Sequence, residues 1–101
     1  MIFDLSCKYD SRLNFYGKAR VEIKEYDNFT ALILYSYGTE VASIENYKNG
    51  LIQYYYNGYF SQTTTRHQKE FFKQNGLSDK EIKDLMKKKI INGRLMKMKK
   101  D

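Results

Sequence analysis

The residues best able to do chemistry lie in the stretch YYYNGYFSQTTTRHQKEFF, Tyr54 to Phe72. It holds the sole histidine, His67, a run of three threonines and four of the ten tyrosines. Nucleophilic catalysis needs a thiol or hydroxyl held against a base. A Cys–His pair would have to join His67 to Cys7, the sole cysteine, and nothing in the sequence brings the N-terminal region to that helix. As a lone thiol, Cys7 forms no internal disulfide and no cysteine-based zinc site, and it reads as a small half-buried hydrophobe. The carboxylates Asp4, Asp10, Glu22, Glu25, Asp27, Glu40, Glu45 and Glu70 show no DxD, ExxH or HExxH spacing. GTEVAS, Gly38 to Ser43, is no glycine-rich phosphate loop. The expectation is a protein that is not an enzyme and uses no metal and no cofactor; its work is binding.

Two groups of residues suit that work. In a strand, Tyr54 and Tyr56 share one face and Tyr55 takes the other, so the rings cannot all be hidden on one side. Tyrosine is an ordinary cross-strand filler, a ring on which bases stack, and a frequent interface anchor. Tyr54, Tyr56 and Tyr59 are therefore the candidate partner-binding aromatics. The second group is cationic. Residues 1–76 carry nine basic and eight acidic side chains, whereas 77–101 carry nine basic and four acidic, so nearly all of the net +6 sits in the last quarter. Lys87, Lys88, Lys89 and Arg94 are the candidate electrostatic contacts for an acidic partner. Arg66 joins them: the TTTRHQK corner would offer N–H groups and a guanidinium at a helix start, suited to a phosphate or carboxylate, although capping alone accounts for the threonines.

The elements that must position these residues follow from periodicity. At 101 residues the chain has room for one core, and 42% hydrophobic against 30% charged content places it among globular proteins. KARVEIKE, Lys18 to Glu25, alternates as a half-buried strand, and FTALILYSY, Phe29 to Tyr37, apolar on both faces, is the expected central strand. Glu40 to Glu45 gives a third, shorter strand. Asn49 and Gly50 suit a type I′ turn, Leu51 to Tyr56 returns, and Asn57 and Gly58 repeat the turn signal before a short fifth strand at Tyr59 to Gln62. Period two then ceases. Thr64 or Thr65 is the expected N-cap of a helix ending at Gly76, with His67 in its first turn and Leu77 packing back on Phe72. Ser78 and Glu81 form a capping box for a second helix, with Ile82, Leu85 and Met86 on one face, ending near Asn92 and Gly93. The fold class is α+β: an antiparallel meander of four or five strands, then two helices on one face. The chain is one domain, with the sheet and first helix in 15–76 and the second helix and a basic tail in 77–101.

The longest apolar run, Ala31 to Tyr35, falls far short of the roughly 20 residues of a membrane span. MIFDLSCKYD lacks a basic leader and a small-residue cleavage site. Both point to a soluble, cytoplasmic protein with no membrane partner.

FYGKA at Phe15 to Ala19, LYSYGTEVASI at Leu34 to Ile44 and YFSQTTTRHQKEFFKQNG at Tyr59 to Gly76 together resemble a small uncharacterised domain of phage and prophage proteins of low-GC Gram-positive bacteria. The resemblance spans 15–76. It implies a phage-encoded protein acting in the host cytoplasm, in a size class that includes anti-CRISPR inhibitors. The expected function is a non-catalytic binding protein that occludes or locks a host nuclease complex, its partner a host protein or protein–nucleic acid complex. The alternative is direct DNA or RNA binding in phage replication or gene control. A third reading is self-association through the tyrosine face, and the sequence does not fix the oligomeric state.

Overall fold

The structure, a computed structural model, describes residues 1–12, 14–87 and 94–98. Six strands run β1 (Ile2–Asp4), β2 (Ala19–Glu25), β3 (Phe29–Ser36), β4 (Thr39–Tyr47), β5 (Leu51–Tyr56) and β6 (Arg94–Met98). They lie side by side in chain order, every neighbouring pair antiparallel. Helices α1 (Gln62–Gln74) and α2 (Asp79–Lys87) fall between β5 and β6. The α+β class and the central place of β3 hold; the described residues form six strands, more than the four or five expected.

The extra strands are the two edges, β1 on β2 and β6 on β5. Both are short and charged, and only pairing with an already formed neighbour makes them strands. The expected fifth strand at Tyr59 to Gln62 is corrected: residues 57–60 are irregular, Gly58 takes a φ of 98°, and the far side of β5 is occupied by β6. β4, expected to be short, is the longest strand at nine residues. It starts directly after a two-residue turn in which Tyr37 and Gly38 both have positive φ, 52° and 83°. The β4–β5 connection is not type I′. Only Gly50 takes positive φ there, its N–H donating to the Tyr47 carbonyl at 3.0 Å while Asn49 Oδ1 accepts from the Leu51 N–H.

The helix boundaries divide in the same way. The N-cap of α1 is Ser61, whose Oγ accepts from the Thr64 N–H at 3.1 Å, not Thr64 or Thr65. Thr64 is 4% exposed and spends its hydroxyl on Ser36, and Thr65 donates to the Ser61 carbonyl. At the other end Leu77 N–H donates to Phe72 O and Gly76 N–H to Lys73 O, the Schellman pattern, with Gly76 at φ 94°. The capping box of α2 is also present: Ser78 N–H donates to Glu81 Oε1 at 2.9 Å and Glu81 N–H to Ser78 Oγ at 3.2 Å.

Pairing registers put Val21, Leu34, Ile44 and Tyr54 on one sheet face, where they share a core with Phe71, Phe72, Ile82 and Leu85 of the helices. Burying each large side chain contributes about 1.5–3 kcal/mol before conformational entropy is charged. The opposite face carries Glu22, Tyr35, Glu45 and Tyr55, and no described helix covers it. Its tyrosine hydroxyls donate to carboxylates, Tyr35 to Glu22 and Tyr55 to Glu45, each at 2.9 Å.

Candidate functional site

A cleft of about 640 Å³ opens between the outer sides of α1 and α2 and the loop at Tyr9 and Asp10, with Tyr56 and Tyr59 at its sheet end. Tyr56 and Tyr59 get there because β5 ends at Tyr56 and the chain needs only a short irregular link to reach the Ser61 cap. Arg66, Lys69 and Lys73 follow at i, i+3 and i+7 along α1, one stripe of the helix surface, and Lys83 and Lys87 sit one turn apart on α2. Ile82 and Met86 supply apolar lining. The cleft thus holds five cations against three carboxylates, Asp10, Glu70 and Asp79.

All three carboxylates are committed. Glu70 is 2% exposed, and its Oε1 accepts from the backbone N–H groups of Tyr9 and Asp10 at 2.9 and 2.8 Å, while Gln74 donates to Oε2 at 2.6 Å. A buried carboxylate with three donors is stabilised as a clamp, pinning the N-terminal loop to α1. Asp10 pairs with Arg66 at 3.3 Å. Asp79 pairs with Lys73 at 2.8 Å, which lowers the Asp79 pKa and raises that of Lys73. Lys73 also lies 5.4 Å above the Tyr9 ring. Among the described residues, Lys69, Lys83 and Lys87 have no ion-pair partner within reach; Lys69 only lends attraction to Asp79.

Four of the eight residues expected from the sequence therefore meet in one place: Tyr56, Tyr59, Arg66 and Lys87. Tyr59 is 69% exposed at the rim, and Tyr56 is half-buried, its phenol pKa raised by burial. Tyr54 is corrected. It is 3% exposed, packs edge-on against Phe72 at 6.5 Å between ring centres and donates to the Asn75 carbonyl at 3.4 Å, so the helices remove it from any partner. Arg66 lies within α1 on Asp10, not at a free helix start, and the expected anion corner does not form because Ser61 takes the cap. Arg94 is the first residue of β6, its backbone in register with Tyr55. Lys88 and Lys89 lie outside the described residues. Lys69, Lys73, Lys83 and Tyr9 were not anticipated. The i, i+4 spacing of Lys69–Lys73 and of Lys83–Lys87 is the signal the sequence carries for them.

His67 is a core residue of the second turn of α1, not of the first. It is 1% exposed, with Nδ1 at 2.8 Å from Ser36 Oγ and its ring 4.5 Å from Phe15 edge-on. Burial lowers its pKa, against an upward pull from Asp10. Ser36 is 3% exposed and shares its hydroxyl with Thr64, so this serine–histidine contact is sealed from a substrate. Cys7 is half-buried against the core with a thiol pKa raised chiefly by burial. No group of three His, Cys, Asp or Glu among the described residues is placed to hold a metal ion. No helix among them is long and apolar enough to cross a membrane.

The sequence model of a family of unknown function, DUF8033, matches residues 3–93. The chain belongs to that family. The match reaches beyond the 15–76 core of the resemblance and takes in the N-terminal loop, both helices and thus every residue of the cleft. No curated protein and no solved structure matches the chain. Chemically, the cleft presents cations without ion-pair partners among the described residues beside apolar and aromatic side chains.

Proposed function

We propose that this DUF8033 protein is a non-catalytic binding protein, phage-encoded and acting in the host cytoplasm, which docks through the cleft between α1 and α2 onto a host protein or protein–nucleic acid complex and occludes it. The carrying observation is the convergence of Tyr56, Tyr59, Arg66 and Lys87 on a single cleft with a cation excess. A rigid aromatic rim and long cationic side chains are what interface anchors are made of. A CRISPR nuclease complex is the proposed target, a choice that rests on the phage resemblance alone. Purified protein titrated into cleavage reactions of several host effectors is the test; full cleavage at saturating protein by all of them refutes the target. Pulldown from host lysate, with and without nuclease treatment, tests docking itself.

Direct nucleic-acid binding is the second reading, favoured by Tyr59, an exposed ring on which a base can stack beside lysines. Labelled DNA and RNA at two salt concentrations discriminate. Each phosphate neutralised contributes about −0.9 to the slope of log affinity on log salt, and no shift at low salt removes this reading.

A further inference from the structure

Building on the reading of the cleft as a docking site, we infer that its occupant is an acidic amphipathic segment of a protein. Its carboxylates would sit on Lys69, Lys83 and Lys87, its apolar side chains on Met86, Tyr56 and Tyr59.

The charge inventory selects the three lysines. Arg66 and Lys73 are spoken for by Asp10 and Asp79, and Lys73 by the Tyr9 ring as well. Glu70, the one buried carboxylate nearby, has both oxygens taken by the N-terminal loop and Gln74. Lys83 and Lys87, at i, i+4 on α2, repel each other slightly; Asp79 and Asp84 lie one turn from them on the same helix, but neither lysine closes an ion pair among the described residues. An external carboxylate relieves that repulsion, and the surface is complementary to acid at three separated points on two helices.

The lining selects protein over nucleic acid. Base stacking needs open ring faces; of the exposed cleft rings, Tyr9 already has Lys73 over its face, which leaves Tyr59, and Tyr56 is half-buried. Between the cations lies Met86, a half-buried apolar group that gains from covering by aliphatic or aromatic side chains and offers a base edge no strong hydrogen bond. A thioether also adapts its shape to different apolar partners. Alternating acid and apolar side chains match both features at once, as in a helix laid in a groove.

Fluorescence anisotropy with the full chain tests this, using a labelled peptide of Glu and Leu at helical spacing, its Gln-for-Glu counterpart and oligo(dT). The acidic peptide should bind and the Gln peptide should be weaker by on the order of tenfold, the sum of three exposed charge pairs. Lys69→Gln, Lys83→Gln and Lys87→Gln combined should lose a similar factor, and Lys73→Gln should change affinity by less than about twofold, because Lys73 is already paired. Circular dichroism melts check that the variants fold. Lysine-dependent binding of oligo(dT) without the peptide overturns the inference and leaves the docking reading intact. Binding of neither probe also overturns it; if the triple variant then still occludes the host complex at full potency, the docking reading falls as well.

Discussion

Helix α1 turns His67, Gln68, Phe71 and Phe72 toward the sheet, none more than 1% exposed, and Arg66, Lys69 and Lys73 toward the cleft. On the inner side the polar groups are hydrogen-bonded with one exception: His67 Nδ1 is paired with Ser36, and Gln68 Nε2 donates to the carbonyls of Val41 and Gly58. The exception is Gln68 Oε1, a buried acceptor with no partner among the described residues. On the outer side the contacts are solvent-exposed ion pairs, which water and salt screen so that they contribute little. One helix therefore carries two kinds of constraint. The inner residues hold the fold and tolerate little change; the outer ones cost almost nothing to alter and are free to be specialised for a ligand.

The contrast is broken most severely from inside. Phe72→Ala leaves a cavity where α1, Tyr54 and the sheet meet and should destabilise by about 3–5 kcal/mol, read from urea unfolding. A loss below about 1 kcal/mol would mean that this side of α1 is loosely packed. Glu70 sits at the boundary between the two sides. Glu70→Ala strands two backbone donors of the N-terminal loop, so a loss of about 2–3 kcal/mol is expected, with faster amide exchange at Tyr9 and Asp10. Unchanged exchange there would show that the clamp does not hold the loop.

His67 yields a smaller, pH-dependent effect. Burial lowers its folded pKa below the ordinary 6.5, so the unfolded chain takes up the proton more readily. Its contribution is complete above that value and is lost as pH falls below it, toward the folded pKa. Unfolding measured at about pH 7.5 and about pH 5.5 should show stability falling with acid, and His67→Gln should flatten the fall. An equal slope in the variant would assign the pH dependence elsewhere. The smallest stability effect belongs to the outer side. Lys83→Gln with Lys87→Gln should move stability by no more than about 0.5 kcal/mol while weakening capture of the partner, and a large stability loss would break the division of labour.

Parts of this architecture are legible from short stretches. Alternation in ARVEIKE marks β2, and its registered partner β3 is the apolar run beside it. Gly76 followed by Leu77 marks the end of α1, and Ser78 with Glu81 the start of α2. Other parts are not. Ser61, Thr63, Thr64 and Thr65 all have side chains able to cap a helix; Ser36, far away in sequence, engages Thr64 and leaves the cap to Ser61. Ile2–Asp4 and Arg94–Met98 have no periodicity long enough to read, and each becomes a strand only against a finished edge. In the cleft, the lysines could be counted from the sequence, but which of them were already paired could not.

The class, the central strand, the second half of α1 and the cap of α2 are written in local sequence, because each rests on side-chain periodicity or on hydrogen bonds spanning three to five residues. Which tyrosines stay wet and which lysines stay free depends on contacts made across the folded chain. Tyr54 is buried by helices that follow it in the chain, and Arg66 is neutralised by Asp10 across 56 residues. Burial and charge pairing are set by what arrives from elsewhere in the chain, and that is where the candidate site was made.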